Sequence, residues 1–269
     1  MNDLKKYYSG ERLYGDDFSG VEIDEWFRDE AEAYANLGAK DRALYKYNYH
    51  ALNEHHGFRF LPPDWTGNAL GLGSAYGDEF RPIAKKLSGI TILDPSDAFE
   101  VTEVDGVPCK YEKPSVSGTL PFSESEFDLA TSLGVLHHIP NVSYIVSEVH
   151  RVLSPGGYFM LREPIRSMGD WRHPRPDLTS RERGISVRFF QQLFDQKRWE
   201  IVNRRLCFFP LYKRLKGGEM FLDPHAVKTD ARLCSIFRFC TRYHGARLIF
   251  NKYTNAFRPA CVFYVIRKR

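Results

Sequence analysis

Between residues 66 and 164 short apolar runs alternate with amphipathic stretches. Asn68–Gly71, Gly89–Asp94, Phe127–Leu133 and Tyr158–Arg162 have the length and continuity of strands buried on both faces, and Val107–Tyr111 is a weaker candidate. Gly77–Leu87 and Val142–Leu153 carry apolar residues at helical spacing between them. Further on, Ser186–Gln196 predicts a helix, Trp199–Phe209 a strand and 260–267 a last strand. Upstream, Ile23, Trp26, Phe27, Glu30 and Tyr34 share one face of a helix over 21–37 closed by Gly38, and a second helix is predicted over 41–55. Pro62-Pro63 then breaks the chain, dividing an N-terminal helical cap or lid (1–62) from a core (63–269) with an aromatic and basic insertion at 210–258. Strand–helix alternation implies an α/β fold, a Rossmann-like, seven-stranded, mostly parallel sheet with helices on both faces.

The composition, 43% hydrophobic and 27% charged, is that of an ordinary globular protein. No apolar run reaches membrane-spanning length, and Met1–Tyr8 lacks the apolar core of a secretory signal. Five scattered cysteines without a Cys-x-x-Cys pair fit neither a disulfide framework nor a zinc site, so a cytoplasmic protein with no metal is expected. Charge changes the picture more. Residues 204–269 hold 15 Lys/Arg against 3 Asp/Glu, whereas everything before them is net acidic. Such a basic region suits a solvated face, an anionic small acceptor, peripheral contact with an anionic membrane surface, or RNA. Nucleic acid is disfavoured because no RNA-binding module flanks the core and the pI is only 8.7.

Candidate chemistry gathers at the carboxyl ends of the predicted strands, where open α/β sheets bind ligands. The first strand runs into Gly71-Leu72-Gly73-Ser74, a turn that lets backbone approach a ligand. Asp94 ends the second strand, and an acidic group there can accept hydrogen bonds from both hydroxyls of a ribose. Leu120-Pro121-Phe122 precedes the strand that leads to Leu133-Gly134-Val-Leu-His137-His138. Arg151-Val-Leu-Ser-Pro-Gly-Gly157 introduces the next strand, which ends near Glu163. A dinucleotide-binding dehydrogenase would need glycine where Tyr76 stands, and it predicts neither of the last two segments.

In these motifs, over residues 66–164, the chain resembles the class I S-adenosylmethionine-dependent methyltransferases, in particular the type 11 branch. The resemblance implies S-adenosylmethionine as cofactor. It also implies Gly71, Gly73 and Ser74 beneath the methionine part, Asp94 on the ribose, Pro95, Ser96, Ser117 and Gly118 beside the adenine, and Leu133 and Gly134 facing the methionine end. Three positions depart from the family pattern. Ala69 and Val116 stand where acidic residues are usual and Ala75 where a third glycine is, with Tyr76, Asp78 or backbone amides as candidate compensation.

Methyl transfer from a sulfonium is an in-line displacement, so alignment supplies most of the catalysis and a hydroxyl acceptor needs a base. His137, Glu163 and His173 are the candidate bases. The long loop 164–184 contributes Arg166, Trp171 and Arg172, and the N-terminal segment Tyr7, Tyr8 and Tyr14, as candidate acceptor-binding residues. The expected activity is methylation of a small-molecule or glycan acceptor at a hydroxyl oxygen. The alternatives are a non-catalytic, cofactor-binding or scaffolding member of the fold and an RNA methyltransferase using the basic region.

Overall fold

The structure is a computed structural model and describes residues 4–31, 40–173, 175, 178–242 and 255–269. Eight strands form one sheet in the order β3-β4-β2-β1-β5-β6-β8-β7. They are β1 (Gly67–Leu72), β2 (Leu87–Leu93), β3 (Glu103–Val104), β4 (Val107–Glu112), β5 (Phe127–Leu133), β6 (Leu153–Pro164), β7 (Trp199–Cys207) and β8 (Cys261–Lys268). β4, β2, β1, β5 and β6 run parallel, while β8 is antiparallel to both β6 and β7. The expected strands are all present. The eighth is the two-residue β3, which folds back on β4 as a hairpin through Asp105-Gly106, both at positive φ.

Side chains alternate across the sheet as the two-residue period requires. Leu70, Ala130, Phe159, Leu161, Tyr264 and Ile266 pack on one face under helices α4 (Val142–Val152) and α5 (Val187–Leu193). Ala69, Leu129, Met160, Phe263 and Val265 pack on the other, under α3 (His50–His56), the helical segment Asp78–Lys86 and α7 (Pro224–Ile236). Both faces are covered, which is why these strands read as unbroken apolar runs.

Several helices differ from expectation. Asp78–Lys86 is a tight 3-10 coil, because Pro82 inside it lacks an N–H and crowds the preceding turn. In the N-terminal segment, after the single turn α1 (Lys5–Tyr8), α2 spans Gly20–Glu30, closed at its start by a Ser19–Glu22 capping box. The rest of the predicted 21–37 helix lies largely outside the described residues. Of the predicted 41–55 helix only α3 forms. Residues 45–49 instead run non-helically along the cavity described below. The insertion begins as α6 (Pro210–Lys216) and α7, and residues 243–254 of it lie outside the described residues. Among the described residues no helix is long and apolar enough to cross a membrane.

Candidate active site

The carboxyl ends of β1, β2, β5 and β6 open into a cavity of ≈ 550 Å³. At one end are Gly73, Ser74, Ala75, Asp94, Pro95 and Ser96, and at the other Pro164, Arg166, Met168, Phe208, Lys213 and Cys261. Leu133, Gly134, His137 and Arg162 lie between. A smaller apolar cavity of ≈ 130 Å³ shares Gly73, Pro95 and Val135 with it. Its remaining wall includes Val116, Gly118, Ile139 and Ile145, and Ile23, Trp26 and Phe27 of α2 close it. Trp26 and Phe27 of α2 therefore line a cavity.

The glycine turn is built for close approach. Gly73 sits at φ +59°, and a Cβ there would lie 2.7 Å from Cγ1 of Val135, while one on Gly71 would run into Ser74. Ala75 adopts φ 46°, so the left-handed conformation survives although glycine does not. Gly73 N–H donates to the carbonyl of Leu93, tying the turn to the end of β2. Just beyond, the buried Asp94 carboxylate accepts from Ala75 N–H at 3.3 Å and Ser96 N–H at 3.0 Å. These bonds orient a carboxylate that lines the cavity.

The departures at Ala69 and Val116 have different outcomes. Tyr76 and Asp78 do not compensate. The Tyr76 hydroxyl donates to the carbonyls of Lys40 and Ala98, and Asp78 is held by Arg42 and Arg81. Glu79 enters the cavity instead. It accepts from Ser74 Oγ at 2.9 Å and Thr131 Oγ1 at 2.6 Å, and burial raises its carboxyl to about 7. Nothing in the amphipathic pattern of Gly77–Leu87 distinguishes Glu79 from a solvent-facing acid. Val116 contributes to the apolar cavity.

Glu163 is no general base. It is fully buried, and its two oxygens accept the backbone N–H groups of Val135 (3.0 Å), Leu136 (2.9 Å) and His137 (3.3 Å) and meet His137 Nδ1 at 2.7 Å. With three amides on that carboxylate, Nδ1–H is the donor of the fourth bond, leaving Nε2 of His137 as an acceptor. Nε2 lies 3.6 Å from Oε1 of Glu182 at the cavity wall. Burial and neighbouring His138 hold the imidazole below its usual pKa, against the pull of Glu163 and Glu182. Glu163 thus fixes the His137 ring where it lines the cavity.

Other expectations fail on packing. His173 is exposed and, among the described residues, pairs only with Asp170, at 4.0 Å. Arg172 is tied to the same Asp170 at 2.8 Å. Tyr8 and Tyr14 both stack on Trp171, with ring centroids at 5.0 and 5.3 Å, and Tyr7 meets it edge-on while donating to Asp17. These aromatics pin the loop 164–184 to the N-terminal segment and line neither cavity. Ser117 is exposed, bonded to Ser115 and Thr119, and also lines neither. Of the proposed acceptor residues only Arg166 does. Arg183, also from this loop, is fully buried. Its guanidinium donates to the carbonyls of Tyr14, Leu136, His137, Ile139 and Pro140, clamping the loop after β5. Among the described residues one group has metal-ligand geometry, His137, His138 and Glu182, with ligand atoms within 4.8 Å of one another.

Comparison with known proteins points to a methyltransferase domain. Residues 70–161 match the family model of the type 11 methyltransferase domain. Sterol 4-C-methyltransferase strm-1 of Caenorhabditis elegans is 40% identical over 113 residues, 37% of this chain and 32% of that protein. Sterol methyltransferase-like 1 of Botryococcus braunii is 29% identical over 103 residues, 36% of this chain and 26% of that protein. The chain spans about a third or less of the length of these relatives. Among solved structures, an S-adenosylmethionine-dependent methyltransferase from Mesorhizobium loti is similar with TM-score 0.50 at 17% identity, covering 78% of this chain and 94% of that one. The [4+2]-cyclase SpnF has TM-score 0.55 at 15% identity, covering 93% and 97%. At such identities the structural likeness shows the fold alone. The motifs, the strand order and the family match together identify residues 70–161 as a methyltransferase domain of the class I, S-adenosylmethionine-dependent family.

Proposed function

We propose that the protein transfers a methyl group from S-adenosylmethionine to a hydroxyl oxygen of a small-molecule or glycan acceptor. The observation that carries this reading is one continuous cavity joining the glycine turn and Asp94 to His137 and Arg166. The residues present fit the cofactor: a glycine turn packed too tightly at Gly71 and Gly73 for any Cβ, with Gly73 on the cavity wall, an oriented carboxylate at Asp94, and an adjoining apolar slot for a heteroaromatic ring. Bound there, the cofactor supplies an electrophilic methyl group on a sulfonium. Asp94 would hold the ribose hydroxyls. Pro95, Val116, Gly118 and Val135 would exclude water from the adenine, and α2 would cover it. His137, its Nδ1–H engaged by Glu163, presents Nε2 to take the acceptor's proton as the new bond forms.

The relatives named for sterols support a small-molecule acceptor, although each shares only part of its length with this chain. Residues 1–62 would act as the cap, since α2 and residues 45–49 line the two cavities. Calorimetry with S-adenosylmethionine and S-adenosylhomocysteine tests the proposal. Binding in the micromolar range is expected, and none at high micromolar concentration would remove the enzymatic reading in favour of a scaffolding one.

A further inference from the structure

The far end of the cavity is apolar and cationic at once. Pro164, Met168, Phe208 and Cys261 form its walls, and Arg166 and Lys213 face it. Lys213 lies over the Phe208 ring, 5.4 Å from its centroid. Among the described residues neither Arg166 nor Lys213 forms an ion pair. Arg258, which feels the charge of Arg166, is 3% exposed, and among the described residues its Nε, Nη1 and Nη2 have no hydrogen-bond partner. An unpartnered buried guanidinium is costly, and such groups are ordinarily paired.

Among the described residues no acid lies at this end of the cavity. Residues 204–269 contain three acids. Asp230 accepts the N–H groups of Phe208 and Phe209, Asp223 caps α7 through His225 N–H, and Glu219 is exposed. The acids that do line the cavity belong to its other parts. Asp94 and Glu79 are held at the glycine turn, and Glu30 and Glu182 lie beside the two histidines. Burial lowers the pKa of Arg166, and Arg214 adds to the lowering; burial and then Arg166 lower that of Arg258, to about 10. Positive charge has been gathered at one end of a ligand-sized cavity against its own repulsion.

We infer that the acceptor carries an anionic head, a carboxylate or a phosphate, on an apolar body, and that Arg166 and Lys213 bind that head with Arg258 behind them. This rests on reading the cavity as a joint cofactor and acceptor site. It assigns the basic C-terminal region to substrate selection, and it sets this site apart from one shaped for an uncharged sterol. Two or three charge-assisted hydrogen bonds would then separate an anion from its neutral counterpart.

The test is fluorescence titration of the protein saturated with S-adenosylhomocysteine, using naphthoate, naphthyl phosphate and neutral naphthol. Both anions should bind at least about tenfold more tightly than naphthol. The stronger of the two identifies the head group. Arg166→Gln should abolish the preference while leaving S-adenosylhomocysteine affinity and the melting temperature in place. If Arg166→Gln fails to fold, the exposed Lys213→Gln should reduce the preference by itself. Naphthol binding as tightly as the anions, or a preference that survives in the folded variants, would overturn the inference. S-adenosylhomocysteine affinity is measured first by calorimetry. Its absence removes the methyltransferase reading, and the three probes titrated into the unloaded protein then decide the anion site independently.

Discussion

Nδ1 of His137 lies 2.7 Å from Oε2 of Glu163, and the same carboxylate gathers the N–H groups of Val135, Leu136 and His137. One side chain from the end of β6 thus shapes the backbone beyond β5 and fixes the hydrogen-bonding state of the candidate base. Glu163→Gln preserves the shape but puts an amide donor where an acceptor is needed. We expect a loss of about 1–3 kcal/mol of stability from buried donors left without partners. The His137 ring should also show a changed balance of protonation between Nδ1 and Nε2 by nitrogen NMR. Unchanged ring shifts in the folded variant would show that Glu163 does not set the tautomer.

Asp94→Ala should weaken S-adenosylhomocysteine binding by more than about tenfold, the equivalent of 1.4 kcal/mol. The side chain serves both the ligand and the turn, since it accepts from Ala75 and Ser96 N–H. Asp94→Asn keeps one acceptor oxygen and should therefore fall between wild type and Asp94→Ala. Calorimetry on the three proteins decides it, and equal affinities would remove Asp94 from the site.

Gly73→Ala places a methyl group 2.7 Å from Cγ1 of Val135 at φ +59°. Two penalties combine, a steric one and a conformational one of about 1–2 kcal/mol. Adding Val135→Ala removes the steric part only. The double variant should recover some melting temperature over Gly73→Ala without reaching Val135→Ala. Full recovery would mean that the left-handed conformation carries no cost.

The legible part of this protein was the part governed by local rules. β5 matches its expected bounds because Phe127–Leu133 is buried on both faces and bracketed by turns. The glycine turn and Asp94 were legible because backbone approach and acceptor chemistry demand particular residue types at strand ends. Long-range packing was not legible. Nothing in the sequence tells that Trp171 will stack with both Tyr8 and Tyr14, or that Glu163 will spend its oxygens on backbone amides of another strand's loop. Arg162, stacked 4.1 Å from the Tyr49 ring centroid and donating to the Leu133 carbonyl, looked like any strand residue. The 41–55 helix failed for a related reason. Tyr45, Tyr47 and Tyr49 find ring partners outside a helix, and propensity is too weak a force to compete.

Acid stability should depend on His56, whose ring is 1% exposed with neither nitrogen hydrogen-bonded. Burial, followed by His55, Arg59 and Arg205, lowers its pKa to about 3. In the unfolded chain it titrates near about 6.5. Between those values the unfolded state binds a proton that the folded state refuses, so stability is complete above the unfolded value and falls as pH drops, by up to about 1.4 kcal/mol per pH unit. His56→Leu cannot bind that proton. Relative to its own value at pH 7, the variant should lose about 2 kcal/mol less than wild type on acidification to pH 5. Urea midpoints at the two pH values measure this directly, and parallel losses in the two proteins would show that His56 is protonated in the folded state as readily as in the unfolded one.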